Sequence, residues 1–187
     1  MKIDKNEIAN LTAKYGGEWG INHTRRLLSL ITLIGENQVY DHDALWVAAH
    51  LHDWGAYPQW AQENVDHVVR SAQVAETYLQ ENGFTEELIA LIVECIQQHH
   101  CGGLNRSIES ILLSDADALD FLGVVGILRD YSKNPKDLRK AYEITMNRKK
   151  KLPGFLVLEK SKEFAAVRIE EMDQVLSWFE KDSFSLF

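Results

Sequence analysis

Adjacent histidine and aspartate residues end an apolar run in the stretch AAHLHDWGAYPQW, from Ala48 to Trp60. Imidazole nitrogens and carboxylate oxygens are both ligands of divalent transition metals. The pair His52-Asp53 therefore has two interpretations. It is either a polar cap at a helix end, or a pair of side chains that hold an ion together. The other histidines and aspartates of the chain bear on this choice.

Four histidines fall on rows of apolar residues with helical spacing, near predicted helix ends. His23 begins such a row, His52 ends one, and His67 shares a face with other core-facing residues. His99 continues the apolar row of its helix, so we expect it to face inward and His100 to point away. A single buried histidine is usually a hydrogen-bonded core residue, but four together are more simply satisfied by a shared metal ion.

Three aspartates lie in the segment from Ser107 to Asp130, which is apolar on nearly every side and predicts a central buried helix. Asp115 and Asp117 both have apolar neighbours at helical spacing, so periodicity does not choose between them as ligands. For each aspartate, including Asp120, pairing with an arginine or capping of a neighbouring helix is the alternative interpretation.

The elements that must position these residues are all helical. Apolar residues recur at helical spacing almost throughout, with no internal repeat and no convincing alternating strand. The predicted fold is all-α, with helices at 4–14, 20–35, 42–53, 64–81, 86–100, 107–131, 136–150 and 158–181.

Composition excludes several classes of protein. The 187 residues carry a net charge of -8, which opposes binding to nucleic acid polymers. No apolar run is long enough to span a membrane, and the start of the chain has no secretory signal. Two cysteines, Cys95 and Cys101, favour a reduced cytoplasmic protein over a disulfide scaffold. The basic run NRKKK at 147–151 is interpreted as a solvated helix end.

The ordered set His23, His52-Asp53 and Asp117 resembles the HD-domain superfamily of metal-dependent phosphohydrolases. The stretch DADALDFLGVVGILR, which ends at Arg129, is similar to the late motif of that family. The resemblance covers roughly residues 18–180. It implies a single HD-type helical bundle over 1–187, with a metal site in its core. That core would span about 18–131, and the C-terminal helices 136–181 would pack on it.

The resemblance also implies the ligands. His23, His52, Asp53 and Asp117 would bind a divalent ion, and His67 and His99 would bind a second ion or face the substrate phosphate. Asp53, His67 and His99 are accordingly the predicted catalytic residues. Nitrogen and carboxylate ligands suit manganese, iron, cobalt, nickel or zinc, and the sequence does not choose among them.

Three arginines are the predicted phosphate contacts. Arg26 and Arg70 each lie one turn after a candidate ligand, and Arg129 closes the late motif; a surface ion pair is the alternative for each. The sequence departs from the family pattern at Ala56 and Tyr57, where an acidic pair often stands. It also departs at Ala118 in the late motif, where the family usually has an arginine.

The function implied is hydrolysis of a small phosphate ester or anhydride, with nucleotides as the expected substrates, by metal-activated water. Two alternatives remain open: an HD-type di-iron oxygenase, and a non-catalytic metal-stabilised binding protein. The expected partner is a small phosphorylated molecule, with no nucleic acid polymer and no membrane. The aromatic loop from Trp54 to Trp60 is interpreted as a hydrophobic plug, with a stacking wall for a flat ligand as the alternative.

Overall fold

The computed structural model describes residues 4–187, and these residues form eight α-helices and no strand. This confirms the all-α prediction. Two 3₁₀ turns, Trp54–Ala56 and Leu152–Phe155, follow the second and seventh helices. The helices are α1 (Lys5–Ile34), α2 (His42–Leu51), α3 (His67–Glu81), α4 (Glu86–Gln97), α5 (Ile108–Asp120), α6 (Val124–Lys133), α7 (Leu138–Lys151) and α8 (Glu159–Asp182).

Helix α5 is the central element, as its apolar composition predicts. Every side chain from Glu109 to Asp120 is buried, and the helix contacts α1, α2, α4 and α8. Leu112, Leu113 and Leu119 have no exposed surface. A helix buried on all sides can present polar groups only to specific partners, so each of its aspartates must be paired.

The predicted helix 107–131 is wrong in one respect, because the chain breaks it into α5 and α6. Gly123 lies between the two helices with φ 84°, in the left-handed region that favours glycine. Continuous apolar periodicity across the break concealed it in the sequence. The break lets the late motif change direction, so that Arg129 on α6 lies beside His23 on α1.

Helix α1 joins the two predicted helices 4–14 and 20–35 across a kink at Gly17, where φ is 61°. Other boundaries follow side-chain caps. Asp41 accepts hydrogen bonds from the backbone amides of Asp43 and Ala44, and Asp66 accepts one from Val68. The Asp66 cap makes His67 the first residue of α3, three residues later than predicted.

The C-terminal helices pack on the rest of the molecule. Ala165, Met172 and Leu176 of α8 are buried in the core, and α8 contacts α5 and α6. The buried Asp130 of α6 accepts a hydrogen bond from Thr145 of α7. Within residues 4–187, every helix is too short or too polar to cross a lipid bilayer. Residues 1–3 lie outside the described residues. They belong to the predicted domain and to the N-terminal stretch in which no secretory signal was expected.

Candidate metal centre

Six side chains that carry potential ligand atoms form two groups of three, and four of the six line one cavity. His23, His52 and Asp53, here called the first triad, each place one ligand atom within 4.8 Å of the other two. His67, His99 and His100, the second triad, meet the same criterion. Helix ends supply most of these residues, since His52 and Asp53 follow α2, His67 begins α3, and His99 and His100 follow α4. His23 lies inside α1.

Asp53 belongs to the first triad and also approaches the second. Its Oδ2 is 3.8 Å from His23 Nε2 and 3.4 Å from His52 Nε2. Its Oδ1 is 3.9 Å from His67 Nε2. One carboxylate therefore presents one oxygen to each triad.

Asp117 has the same relation to both groups. Its Oδ1 lies 3.2 Å from His23 Nε2, and its Oδ2 lies 3.4 Å from His100 Nε2. The side chain is almost completely buried, so these nitrogens are its polar environment. Two carboxylates thus join the triads into one polar cluster.

Backbone carbonyls fix two of the imidazoles in the tautomer that a metal ligand needs. His52 Nδ1 lies 2.9 Å from the carbonyl of Ala49, and His99 Nδ1 lies 2.6 Å from that of Ile96. A carbonyl only accepts, so each Nδ1 carries the hydrogen and each Nε2 is left with its lone pair. His23 Nδ1 lies 2.7 Å from Asp120 Oδ2, the carboxylate–histidine arrangement common behind metal ligands.

Two of these Nε2 atoms, those of His23 and His52, are buried and make no hydrogen bond. A buried polar atom without a partner costs about 1–3 kcal/mol. A divalent cation shared by these nitrogens and the carboxylates of Asp53 and Asp117 would satisfy all four side chains. The residues present therefore fit a metal ion, and their mixed nitrogen and oxygen donors suit a transition metal.

Charges within the cluster favour a cation. Burial alone would lower the pKa of His23, but the carboxylates of Asp117 and Asp120 outweigh it and raise the pKa to about 9. Burial would raise the pKa of Asp117, but His100 and His23 hold it well below its usual range. Without an ion, a proton on His23 therefore balances the carboxylates. An ion bound at His23 Nε2 must displace that proton.

His99 and His100 both face the cavity, so the expectation that His100 points away is wrong. Helix α4 ends at Gln97, and the helical spacing that separates neighbouring side chains no longer applies beyond it. His99 is buried, and burial lowers its pKa to about 4. His100 is about half exposed, and its bond to Asp117 raises its pKa.

The three aspartates of α5 have different partners. Asp115 accepts hydrogen bonds from the backbone amides of Val157 and Leu158, just before α8, so it is a structural cap. Asp117 faces the triads. Asp120 receives two hydrogen bonds from Arg26 and lies against His23 Nδ1, so it orients that histidine.

Of the three predicted phosphate contacts, only Arg129 lines the cavity. It pairs with Asp120, and its NH1 lies 3.2 Å from His23 Nδ1. Arg26 lies outside the cavity, in a separate pocket, and donates to Asp120. Arg70 donates to the carbonyl of Trp60, 2.7 Å away, and lines a separate shallow pocket.

The family model described as HD domain matches residues 20–122, more than half of the chain. The chain belongs to the HD domain family. The match includes His23, the His52-Asp53 pair and Asp117, together with His67 and His99. It ends before α6, so the extension of one HD domain over 1–187 stays a prediction.

Solved structures share this HD fold along nearly the whole chain. A Lactobacillus plantarum protein is 19% identical, with a TM-score of 0.76 over 99% of this chain and 100% of its own. Bacillus subtilis YpgQ in complex with ADP is 24% identical, with a TM-score of 0.73 over 95% and 93%. A predicted HD superfamily hydrolase from an uncultured Thermotogales bacterium is 24% identical, with a TM-score of 0.69 over 95% and 92%. No curated protein matches the chain.

The cavity of this HD protein has a volume of about 710 Å³. It also contains residues that the sequence interpretation missed. Lys133 of α6 and Arg148 of α7 line it. The interpretation of the NRKKK run as a solvated helix end is therefore wrong at Arg148. Arg148 could have been found, because Ala141, Thr145 and Arg148 follow each other at helical spacing and the first two are buried.

The aromatic loop divides between two roles. Trp54 is buried, donates to Thr12 Oγ1 and stacks on Trp60 at 4.4 Å, as a hydrophobic plug. Tyr57 lines the cavity. His50, which belongs to neither triad, is buried and stacks on Trp46.

Proposed function

We propose that this HD protein is a metal-dependent phosphohydrolase that cleaves a small phosphate ester or anhydride, with nucleotides as its substrates. One observation carries the proposal. Candidate ligands of both triads and the guanidinium of Arg129 line the same cavity, where Asp53, Asp117 and His99 stand on its walls. A cation and an arginine in one cavity form a site for a phosphoryl group.

The proposed ligands of a first ion are His23, His52, Asp53 and Asp117, and the second triad offers nitrogens for a further ion through Asp53. Manganese, iron, cobalt, nickel and zinc all suit these donors. A divalent ion held there would lower the pKa of a coordinated water toward neutrality and neutralise charge on phosphoryl oxygens.

The chain's own groups complete the proposed chemistry. Arg129, held by Asp120, is placed to orient a phosphoryl oxygen. The bond to Asp117 raises the pKa of His100, and this side chain reaches solvent, so it is the group best placed to protonate a leaving oxygen. His99 stays neutral near pH 7, which suits a ligand rather than a proton donor.

The size and walls of the cavity support a nucleotide. A volume of about 710 Å³ lies within the range of small-molecule sites. Trp19, Phe121 and Phe155 supply apolar surface on which a flat base can pack. The likeness to YpgQ, crystallised with ADP, agrees with this substrate class. The net charge of -8 disfavours long polyanions.

The test is a screen of nucleoside mono-, di- and triphosphates and aryl phosphates, each with manganese, cobalt or nickel. We expect release of phosphate or pyrophosphate that Asp53→Ala abolishes, because that change removes the carboxylate shared by both triads. Release that Asp53→Ala leaves intact would contradict the assignment of the site. If no compound of the panel released phosphate, and the protein held two irons and turned over another substrate in an oxygen-dependent reaction, the oxygenase alternative would be supported instead.

A further inference from the structure

Three cations gather around two aromatic rings on the side of the cavity formed by α6 and α7. The guanidiniums of Arg129 and Arg148 each lie 4.2 Å from the centre of the Phe121 ring. The Lys133 ammonium lies 5.1 Å from the Trp19 ring, which Arg129 also contacts at 4.8 Å. Cations over ring faces are held in place by the ring quadrupole. We call this arrangement the cationic wall.

Carboxylates compensate the cationic wall only in part. Arg148 pairs with Asp130, and Arg129 shares Asp120 with Arg26 and His23. Among residues 4–187, no carboxylate oxygen lies within 4.0 Å of Lys133 Nζ. Burial and the neighbouring Arg129 and Arg148 lower the pKa of Lys133, which shows that its charge is unfavourable there. Like charges that carboxylates compensate only in part indicate a binding function rather than a contribution to stability.

The cationic wall extends the site beyond the triads. The His23 ring and the Lys133 ammonium each lie 6.0 Å from the centre of the Phe121 ring, so they are at most twice that distance apart. Arg129 stands next to His23, whereas Lys133 and Arg148 have no close contact with any candidate ligand. A phosphoryl group at the triads therefore leaves Lys133 and Arg148 available to a second anionic group.

Resting on the proposed function, we infer that Lys133 and Arg148 form a second anion subsite that selects substrates with an additional phosphoryl group. The preferred substrates are then nucleoside di- or triphosphates rather than monophosphates or aryl phosphates. A phosphoryl group suits the subsite because its several oxygens can accept from a planar guanidinium and an ammonium at once.

The critical variant is Lys133→Met, because Lys133 lines the cavity and, within residues 4–187, makes no ion pair that its loss would break. Lys136→Met is the matched control, three residues along, exposed and outside the cavity. Lys133→Arg is the conservative rescue. We expect Lys133→Met to raise KM for a nucleoside triphosphate about tenfold, equivalent to about 1.4 kcal/mol, while kcat and the monophosphate KM change little. The control and the rescue should resemble the wild type.

A binding measurement keeps the subsite testable even if the protein turns over no phosphate compound. Calorimetry of the full chain as purified, without added metal, should show tripolyphosphate binding more tightly than orthophosphate. Lys133→Met should reduce only the tripolyphosphate affinity. Equal effects of Lys133→Met on mono- and triphosphate kinetics, or equal affinities for the two inorganic anions, would overturn the subsite. Loss of all phosphate release with this binding pattern intact would refute only the hydrolase proposal.

Discussion

Asp115 and Asp117 lie two residues apart in the same buried helix and have separable roles. Asp117→Asn should weaken metal binding at least tenfold, because an amide lacks the charge that faces both triads. Asp115→Asn should retain the metal but lower the stability by about 1–3 kcal/mol, because two backbone amides before α8 lose a charged acceptor. Elemental analysis and thermal unfolding of both variants check this. Equal metal content in the two proteins would contradict the ligand assignment.

His50, a buried residue outside the two triads, should make the stability of the protein depend on pH. Burial lowers its pKa from 6.5 to about 4, so the folded state binds its proton less readily than the unfolded chain does. The stability from neutral His50 is present above pH 6.5 and is lost as the pH falls from 6.5 toward 4, by up to about 3 kcal/mol.

Denaturant unfolding of His50→Gln between pH 4 and pH 7 should therefore show a weaker loss of stability on acidification than the wild type. His42→Gln, at an exposed position eight residues earlier, is the control and should retain the wild-type dependence. Parallel curves for wild type and His50→Gln would refute the role of this histidine.

At the residue scale, helical spacing predicted most of the buried histidines, but it did not predict every side chain that reaches the cavity. Asp117 and His23 lie within helices, and both are buried with His23 Nε2 3.2 Å from Asp117 Oδ1. His100 lies beyond the end of α4, where helical spacing no longer determines direction. Arg26 shares a helix face with His23, but its long side chain reaches Asp120 instead of the cavity. The partner of a long charged side chain depends on tertiary neighbours that one sequence does not reveal.

At the scale of elements, the turn after α2 approaches α3 closely at Gly55. A β-carbon there would lie 2.6 Å from the carbonyl oxygen of His67, against backbone that cannot yield. Gly55→Ala should therefore destabilise the protein by about 1–3 kcal/mol and shift His67 relative to Asp53. Gly154→Ala, with no atom near the new methyl group, is the control. Chemical denaturation of both variants measures the difference, and equal stabilities would contradict the close approach.

Helix boundaries were predictable where a cap or a polar stretch marked them. Thr85 and Ser107 accept hydrogen bonds from the first turns of α4 and α5, as the sequence signals suggest. The division of the predicted helix 107–131 into α5 and α6 was not predictable from apolar periodicity, because apolar residues continue at helical spacing from one helix into the other. Gly123 was the only local signal of a break, and an isolated glycine is often tolerated inside a helix.

At the scale of the whole molecule, a bound ion should stabilise the fold, because it binds an arrangement that the unfolded chain lacks. Free metal at about 100 times its Kd adds about 2.7 kcal/mol. Chelation should then lower Tm by about 5–10 °C for a chain of this length. Calorimetric scans with and without chelator test this, and Asp53→Ala should show no chelator effect. An unchanged Tm in protein proven free of metal would argue against a site coupled to folding.

The helical class could be predicted from residue type and local spacing, and the candidate ligands from the resemblance to the HD family. The cationic wall could not, since it joins Trp19 of α1, Phe121 after α5 and cations of α6 and α7. Such a feature depends on how elements pack and on the direction the chain takes after Gly123. The C-terminal helices thus contribute to the cavity as well as to the core.

The hydrogen bond between His23 and Asp120 joins residues 97 positions apart in the chain, and this separation has a kinetic consequence. Contacts so distant in sequence form late in folding, after the intervening loops have closed. An ion at the triads therefore stabilises the native state more than the folding transition state. We expect stopped-flow measurements to show that chelation speeds unfolding but leaves the refolding rate unchanged. The metal would then prolong the lifetime of the native state by slowing unfolding.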